Sequence, residues 1–251
     1  MTMYWQDEGY LLSKNNFDEN SVIIEIFTLD HGKCAGIVYG GSSRKQKKNL
    51  QIGNKIIINW KAKGENRIGH FSTELIKPIS PRFFDDKERS ICILAACSIL
   101  KILLPERQIN KKIYLSFENF LTSLLYDNWI SLYIDWELSL VKELGYESEN
   151  KYNLKNNIKD AIIFNKKLLI KNFILPNKLR MPVSRNILEH YIVNNKWYVY
   201  LNLLAIWSAK YVTIADAPAR LKEIKLSITA SSFNIPLLIP FFIKLYSPET
   251  W

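Results

Sequence analysis

In the stretch KIIINWKAK, Ile56, Ile58, Trp60 and Ala62 fall on one side of an extended chain, and Ile57, Asn59, Lys61 and Lys63 on the other. Successive side chains of a strand point to opposite faces, so this alternation predicts a strand with a core face and a charged outer face. The same pattern picks out strands in EGYLLSK, in SVIIEIFT from Ser21 to Thr28, in CAGIVYG and in HFSTELIK. LDHGK supplies a tight turn between the second and third of these, and GENRIG turns the chain into the last. Five short strands before residue 81 predict a small closed barrel, and the OB-fold is the best known of that size.

After KPISPRF the apolar period lengthens to that of a helix. Asp85 and Asp86 are suited to cap a helix running through SICILAACSILKILLPER. It is apolar nearly all round from Ile91 to Leu104, which predicts a central place among the helices, and Pro105 ends it. A second helix, Ile113 to Tyr126, lines up Ile113, Phe117, Phe120, Leu121 and Leu124. A third, Trp129 to Leu144, lines up Trp129, Leu132, Tyr133, Trp136, Leu140 and Leu144, with Gly145 as its stop. A polar linker, GYESENKYNLKNN, leads to a helix from Asp160 to about Phe173, and a last one begins near Pro182. Eight of the nine glycines precede residue 70, which marks the change from turn-rich to helical chain. The expected class is α+β: an N-terminal five-stranded OB-fold β-barrel over residues 1–80, an α-helical bundle over 81–195, and a C-terminal extension over 196–251.

Composition narrows the function. The 251 residues are 48% hydrophobic, enough for a real core, and the net charge of +10 favours an acidic partner such as nucleic acid, an anionic membrane surface or an acidic peptide. The apolar runs beginning at Trp197 and Ile235 fall short of the ~20 residues needed to span a bilayer, and Pro236 and Pro240 break the second. No membrane association is expected. Acidic residues in MTMYWQDEGY stand where a signal peptide needs basic and apolar ones. Cys34, Cys92 and Cys97, an odd number without a CxxC, fit a cytoplasmic protein with buried, reduced thiols, no structural metal and no cofactor.

The positive charge is concentrated. Between Gly41 and Arg67 lie eight Lys and Arg against Glu65 alone. Arg44, Lys45, Lys47 and Lys48 fall in a loop before the fourth strand, and Lys61, Lys63 and Arg67 follow on its outer face and turn. These seven are the candidate DNA-binding residues, because a barrel that tracks a nucleic-acid backbone needs spaced cations together with aromatic surfaces. If about four contact the phosphates of a single strand, log K falls against log salt with a slope near roughly −3. The competing reading is a hairpin whose cations only keep it solvated. Trp60 shares its face with Ile56 and Ile58 and is expected in the core, whereas Tyr39 is open between core and stacking roles.

Other chemistry is poorly supported. His31 sits beside Asp30, but no Ser or Cys nucleophile accompanies them, and Asp-His-Gly is ordinary turn chemistry. Asp135 and Glu137 are two apart on a helix, so their side chains diverge. GGSSRKQKK lacks P-loop spacing, and HExxH and GxGxxG do not occur.

The chain resembles the RecO (recombination protein O) family of bacterial DNA repair proteins. The resemblance is carried by DEGYLL at Asp7, FTLDHGKCAGIVYGGSSRKQKKNLQIG at Phe27, NWKAK at Asn59, IGHFSTEL at Ile68, LLPER at Leu103 and DWELSLVKELGY at Asp135. The segment from Leu168 to Leu188 adds a Pro-x-x-Arg element at Pro182 and Arg185. It implies an OB-fold followed by helices and a non-enzymatic mediator of DNA repair and homologous recombination. Such a protein binds single- and double-stranded DNA and anneals complementary strands. It engages the acidic C-terminal tail of single-strand-binding protein, works with RecR, indirectly serves RecA by helping to load it, and acts in the cytoplasm at the nucleoid. The four-cysteine zinc element of many family members has no counterpart in ESENKYNLKNNIKDAII, residues 147–163. Two other readings remain: an adaptor that binds RecR and single-strand-binding protein with little DNA affinity, and a nucleic-acid hydrolase, for which the chain offers no carboxylate cluster.

Overall fold

The period-two segments form β1 (Met3–Asn16), β2 (Val22–Thr28), β3 (Gly32–Val38), β4 (Lys55–Ala62) and β5 (Gly69–Lys77). They are seen in a computed structural model that describes residues 3–62, 68–146 and 157–194. β1 is longer than EGYLLSK alone. A register shift between Leu11 and Ser13 bends it so that its first half pairs with β4 and its second with β2. The sheet closes in the order β1-β2-β3-β5-β4, antiparallel throughout except for a short parallel join of β3 to β5. This is the expected α+β class with the barrel first.

Ile56, Ile58, Trp60 and Ala62 all point into the barrel and are buried, with Leu11, Ile24, Ile26 and Phe71 among their neighbours. The parallel join pairs Gly36 with Gly69 and Ile37 with His70. Both glycines are there for space: a Cβ at Gly69 would collide with the Trp60 indole, and one at Gly36 with the Phe71 ring.

One sequence expectation is corrected. Arg44, Lys45, Lys47 and Lys48 do not lie in a loop or hairpin but on a short helix, α1 (Arg44–Asn49). The Ser43 side chain caps it by accepting from the Gln46 amide, and Leu50, directly after it, is buried in the barrel core. The Thr73 hydroxyl of β5 donates to the Gln46 side chain at 3.5 Å, which ties the helix to the sheet. A segment this short has no apolar stripe of its own to announce a helix, and the cap and the anchor supply what periodicity cannot.

The helices follow as α2 (Lys87–Leu103), α3 (Lys111–Ser123), α4 (Trp129–Glu143), α5 (Ile158–Leu169) and α6 (Val183–Asn194). Asp86 caps α2, whose Cys92, Ala95, Ala96, Ile99 and Leu100 are buried, as expected of a central helix. α3 begins and ends earlier than the pattern predicts: Asn110 caps it, and Leu125 and Tyr126 beyond its end are exposed. Its predicted stripe is buried, and Phe120 stacks on Trp136 of α4 with centroids 4.8 Å apart. Gly145 stops α4 with φ of 92°, a conformation that suits glycine. α5 starts two residues before Asp160, capped by Asn157, and runs into a π-turn over Ile170–Ile174.

α6 is pinned by Arg185, which is wholly buried. Its guanidinium donates to both oxygens of buried Glu137 on α4 at 2.6 and 2.9 Å, to the Ile162 carbonyl of α5 at 3.1 Å, and to Glu189 at 3.1 Å. The Tyr133 hydroxyl donates to the same Glu137 carboxylate at 2.9 Å. Three helices thus converge on one ion pair whose polar atoms are satisfied.

Strands and helices belong to one compact unit, Met1–Asn195. Tyr10 of β1 and Lys55 of β4 both donate to Glu118 of α3, at 2.7 and 2.9 Å. Lys101 of α2 pairs with Glu25 of β2 at 2.7 Å, and Lys33 of β3 donates to the Lys101 carbonyl at 2.7 Å. Gly32 is packed so closely on the Gln108 backbone that a Cβ has no room. Residues 196–251, expected as an extension, lie outside the described residues. Among the described residues no helix is long and apolar enough to cross a membrane.

Candidate nucleic-acid interface

Arg44, Lys45, Lys47 and Lys48 are all exposed on α1, and none makes an ion pair among the described residues. Lys47 and Lys48 occupy the last helical turn, where the carbonyl end of the helix favours positive charge. A fifth cation joins them. Burial and, to a lesser degree, repulsion from Lys47 hold Lys14 of β1 below the ordinary lysine range. An anion bound beside these cations would relieve that repulsion.

Lys61 stands apart from α1, on the outward face of β4. Its ammonium lies over the Tyr4 ring, 5.6 Å from the centroid, while the Tyr4 hydroxyl donates to Asn59 at 2.9 Å. His70 of β5 is opposite Lys61 in register, and the Tyr39 ring lies 6.0 Å from His70 on the chain that leads into α1. The structure therefore gathers four of the seven predicted cations on one helix and leaves Lys61 on a neighbouring strand. Lys63 and Arg67 lie outside the described residues.

Tyr39 is exposed rather than core, and Trp60 is buried as its strand face requires. Lys14 and Tyr4 had no signal in the linear sequence. Lys14 is distant from Lys47 along the chain, and Tyr4 meets Lys61 only through the pairing of the first strand with the fourth.

The His31 turn is held structurally. His31 turns away from Asp30, which pairs instead with Lys111 of α3 at 2.7 Å. Its Nδ1 contacts Asp7 at 2.8 Å, and its ring stacks on Trp5 with centroids 3.9 Å apart. Asp7 also accepts from the amides of Glu8 in β1 and Asp30 in the β2–β3 turn, so both its oxygens are engaged. All three cysteines are free and buried, and burial pushes the Cys34 thiol up to about 11. Among the described residues no cluster of three or more His, Cys, Asp or Glu could hold a metal ion.

Two family models match this architecture in order. Recombination protein O N terminal covers residues 1–79, the barrel, and Recombination protein O C terminal covers residues 85–156. The DNA repair protein RecO of Roseobacter denitrificans is 35% identical over 145 residues, which is 57% of this chain and 60% of that protein. That of Wolbachia pipientis subsp. Culex pipiens is 30% identical over 164 residues, 64% of this chain and 67% of the relative. The chain thus matches about three fifths of the length of most of these relatives. With both models matched in sequence and the barrel and helices in the corresponding places, the chain belongs to the recombination protein O family.

Proposed function

We propose that the chain is a non-catalytic mediator of DNA repair and recombination that holds DNA on the backbone phosphates through Arg44, Lys45, Lys47 and Lys48. The observation that carries this reading is the exposed, unpaired state of these four cations on α1 among the described residues. Lys61 extends the positive surface along β4, and Lys63 and Arg67 are its sequence neighbours. Phosphate contacts of this kind do not read sequence and serve single and double strands alike. Two strands held at one surface have their mutual repulsion reduced, which favours annealing.

In the same reading, single-strand-binding protein is engaged through its acidic tail, RecR is the working partner, and RecA gains access to the coated strand. The cytoplasm at the nucleoid is where this takes place. Family membership supports these roles, and the chain's excess of lysine suits an acidic peptide.

Fluorescence anisotropy of a labelled single-stranded oligonucleotide across a salt series tests the proposal. The expected result is a slope of log K on log salt near roughly −3, about two decades of affinity over a fourfold rise in salt. The Lys45→Glu, Lys47→Glu, Lys48→Glu variant loses most of both affinity and slope. An unchanged slope in that variant removes α1 from the interface, and no binding by the wild type leaves the adaptor reading.

A further inference from the structure

The outward residues of β1, β4 and β5 stack in cross-strand rows fixed by register. Tyr4, Lys61 and His70 form one row, Gln6, Asn59 and Ser72 the next, and Glu8, Ile57 and Glu74 the third. Both carboxylates are in the third row. The first two rows carry an ammonium, two aromatic rings and neutral hydrogen-bonding groups, and they form a shallow concavity lined by Tyr4, Asn59, Lys61, His70 and Ser72. Tyr4 is 58% exposed, and Tyr39, next to His70, is 66% exposed.

We propose that this face binds unpaired bases of single-stranded nucleic acid, with Tyr4 and Tyr39 as stacking surfaces and Lys61 meeting the intervening phosphate. The proposal rests on the DNA-holding reading above and goes beyond it by assigning strand selectivity to the aromatic side chains around Lys61. OB barrels commonly bind oligonucleotides over strands 2 and 3. Here Glu25 of β2 and Lys33 of β3 are engaged by α2, and Gly32 is closed against Gln108, so part of that face is covered by the chain itself. On the other face Tyr4 and Tyr39 are exposed, and Tyr39 shortly precedes α1 in the chain.

The chemistry matches one occupant. An exposed tyrosine ring gains by stacking on a base of any sequence. Asn59, His70 and Ser72 offer donors and acceptors to a base edge. A duplex hides its base faces and can use only the cations, so the aromatic face discriminates single from double strands while α1 does not.

The test uses the full chain with three labelled probes: a single strand, the same strand with a run of abasic sites, and a duplex. Wild type is expected to bind the intact strand about tenfold more tightly than the abasic one, the scale of one stacked base. In Tyr4→Ala/Tyr39→Ala this preference disappears while duplex binding is unchanged, and a cooperative thermal melt shows that the variant is folded. The Tyr4→Phe/Tyr39→Phe variant retains it. A preference that survives the alanine pair, or is absent from wild type, overturns the proposal. The α1 charge-reversal variant separates the two readings, because it weakens all three probes by a common factor and preserves the preference. Loss of binding to every probe in wild type overturns the DNA-holding reading itself.

Discussion

Gly36 and Gly69 face each other where the barrel closes, and each leaves room for an aromatic ring that a methyl group would displace. Substituting Gly69→Ala therefore forces either the Trp60 indole or the strand to move in a closely packed interior. The expected cost is about 1–3 kcal/mol, the usual range for an overpacked core. Chemical denaturation followed by tryptophan fluorescence checks it, and a midpoint equal to wild type would show that Trp60 has room to give. At the same scale, His31 illustrates what neighbouring sequence can mislead about. Asp30 is adjacent in the chain, but the turn directs the imidazole to Asp7, and only the pairing of β1 with β2 brings Asp7 within reach.

Among the elements, α6 depends on an ion pair from which water is excluded. Removing only one partner, as in Arg185→Met, leaves the Glu137 carboxylate uncompensated. This is expected to cost about 3–5 kcal/mol, while Arg185→Met with Glu137→Leu recovers much of the loss. Thermal melts of both variants give the comparison. A single variant as stable as wild type would mean that the pair does not hold α6. Legibility at this scale followed periodicity. The strands of the barrel, the stripe of α3 and the buried α2 were readable because apolar residues recur at strand or helix spacing. α1 was not, since six polar residues carry no stripe and the anchor, Leu50, lies outside the helix. The Arg185–Glu137 pair was hidden for a related reason: each charge reads as surface until its partner, 48 residues away, is brought to it. The basic cluster was legible as composition. Its division between a helix and a strand face was not, because that division is set by strand register and by a short helix held by its cap and by Leu50.

In the molecule as a whole, the barrel is joined around its circumference by seams of unequal length. β1 and β4 are paired over eight residues, from Met3 with Ala62 to Tyr10 with Lys55, whereas β3 and β5 share only Gly36 with Gly69 and Ile37 with His70. The helices reinforce the sheet at β1, β2, β3 and β4 through Glu118, Lys101 and Gln108, and among these contacts none braces β5 at the short seam. A rolled sheet that breathes opens where it has fewest rungs, so amide hydrogen exchange is expected to be faster at Gly69 and His70 than at Ile56 and Ile58. Equal protection would show that the seam is braced by something other than its ladder. His70 belongs to that seam, and Tyr39 lies on the other side of it. A strand laid across both would act as a clasp, so that occupancy of the outer face is felt inside the barrel as slower breathing around Trp60 and Phe71.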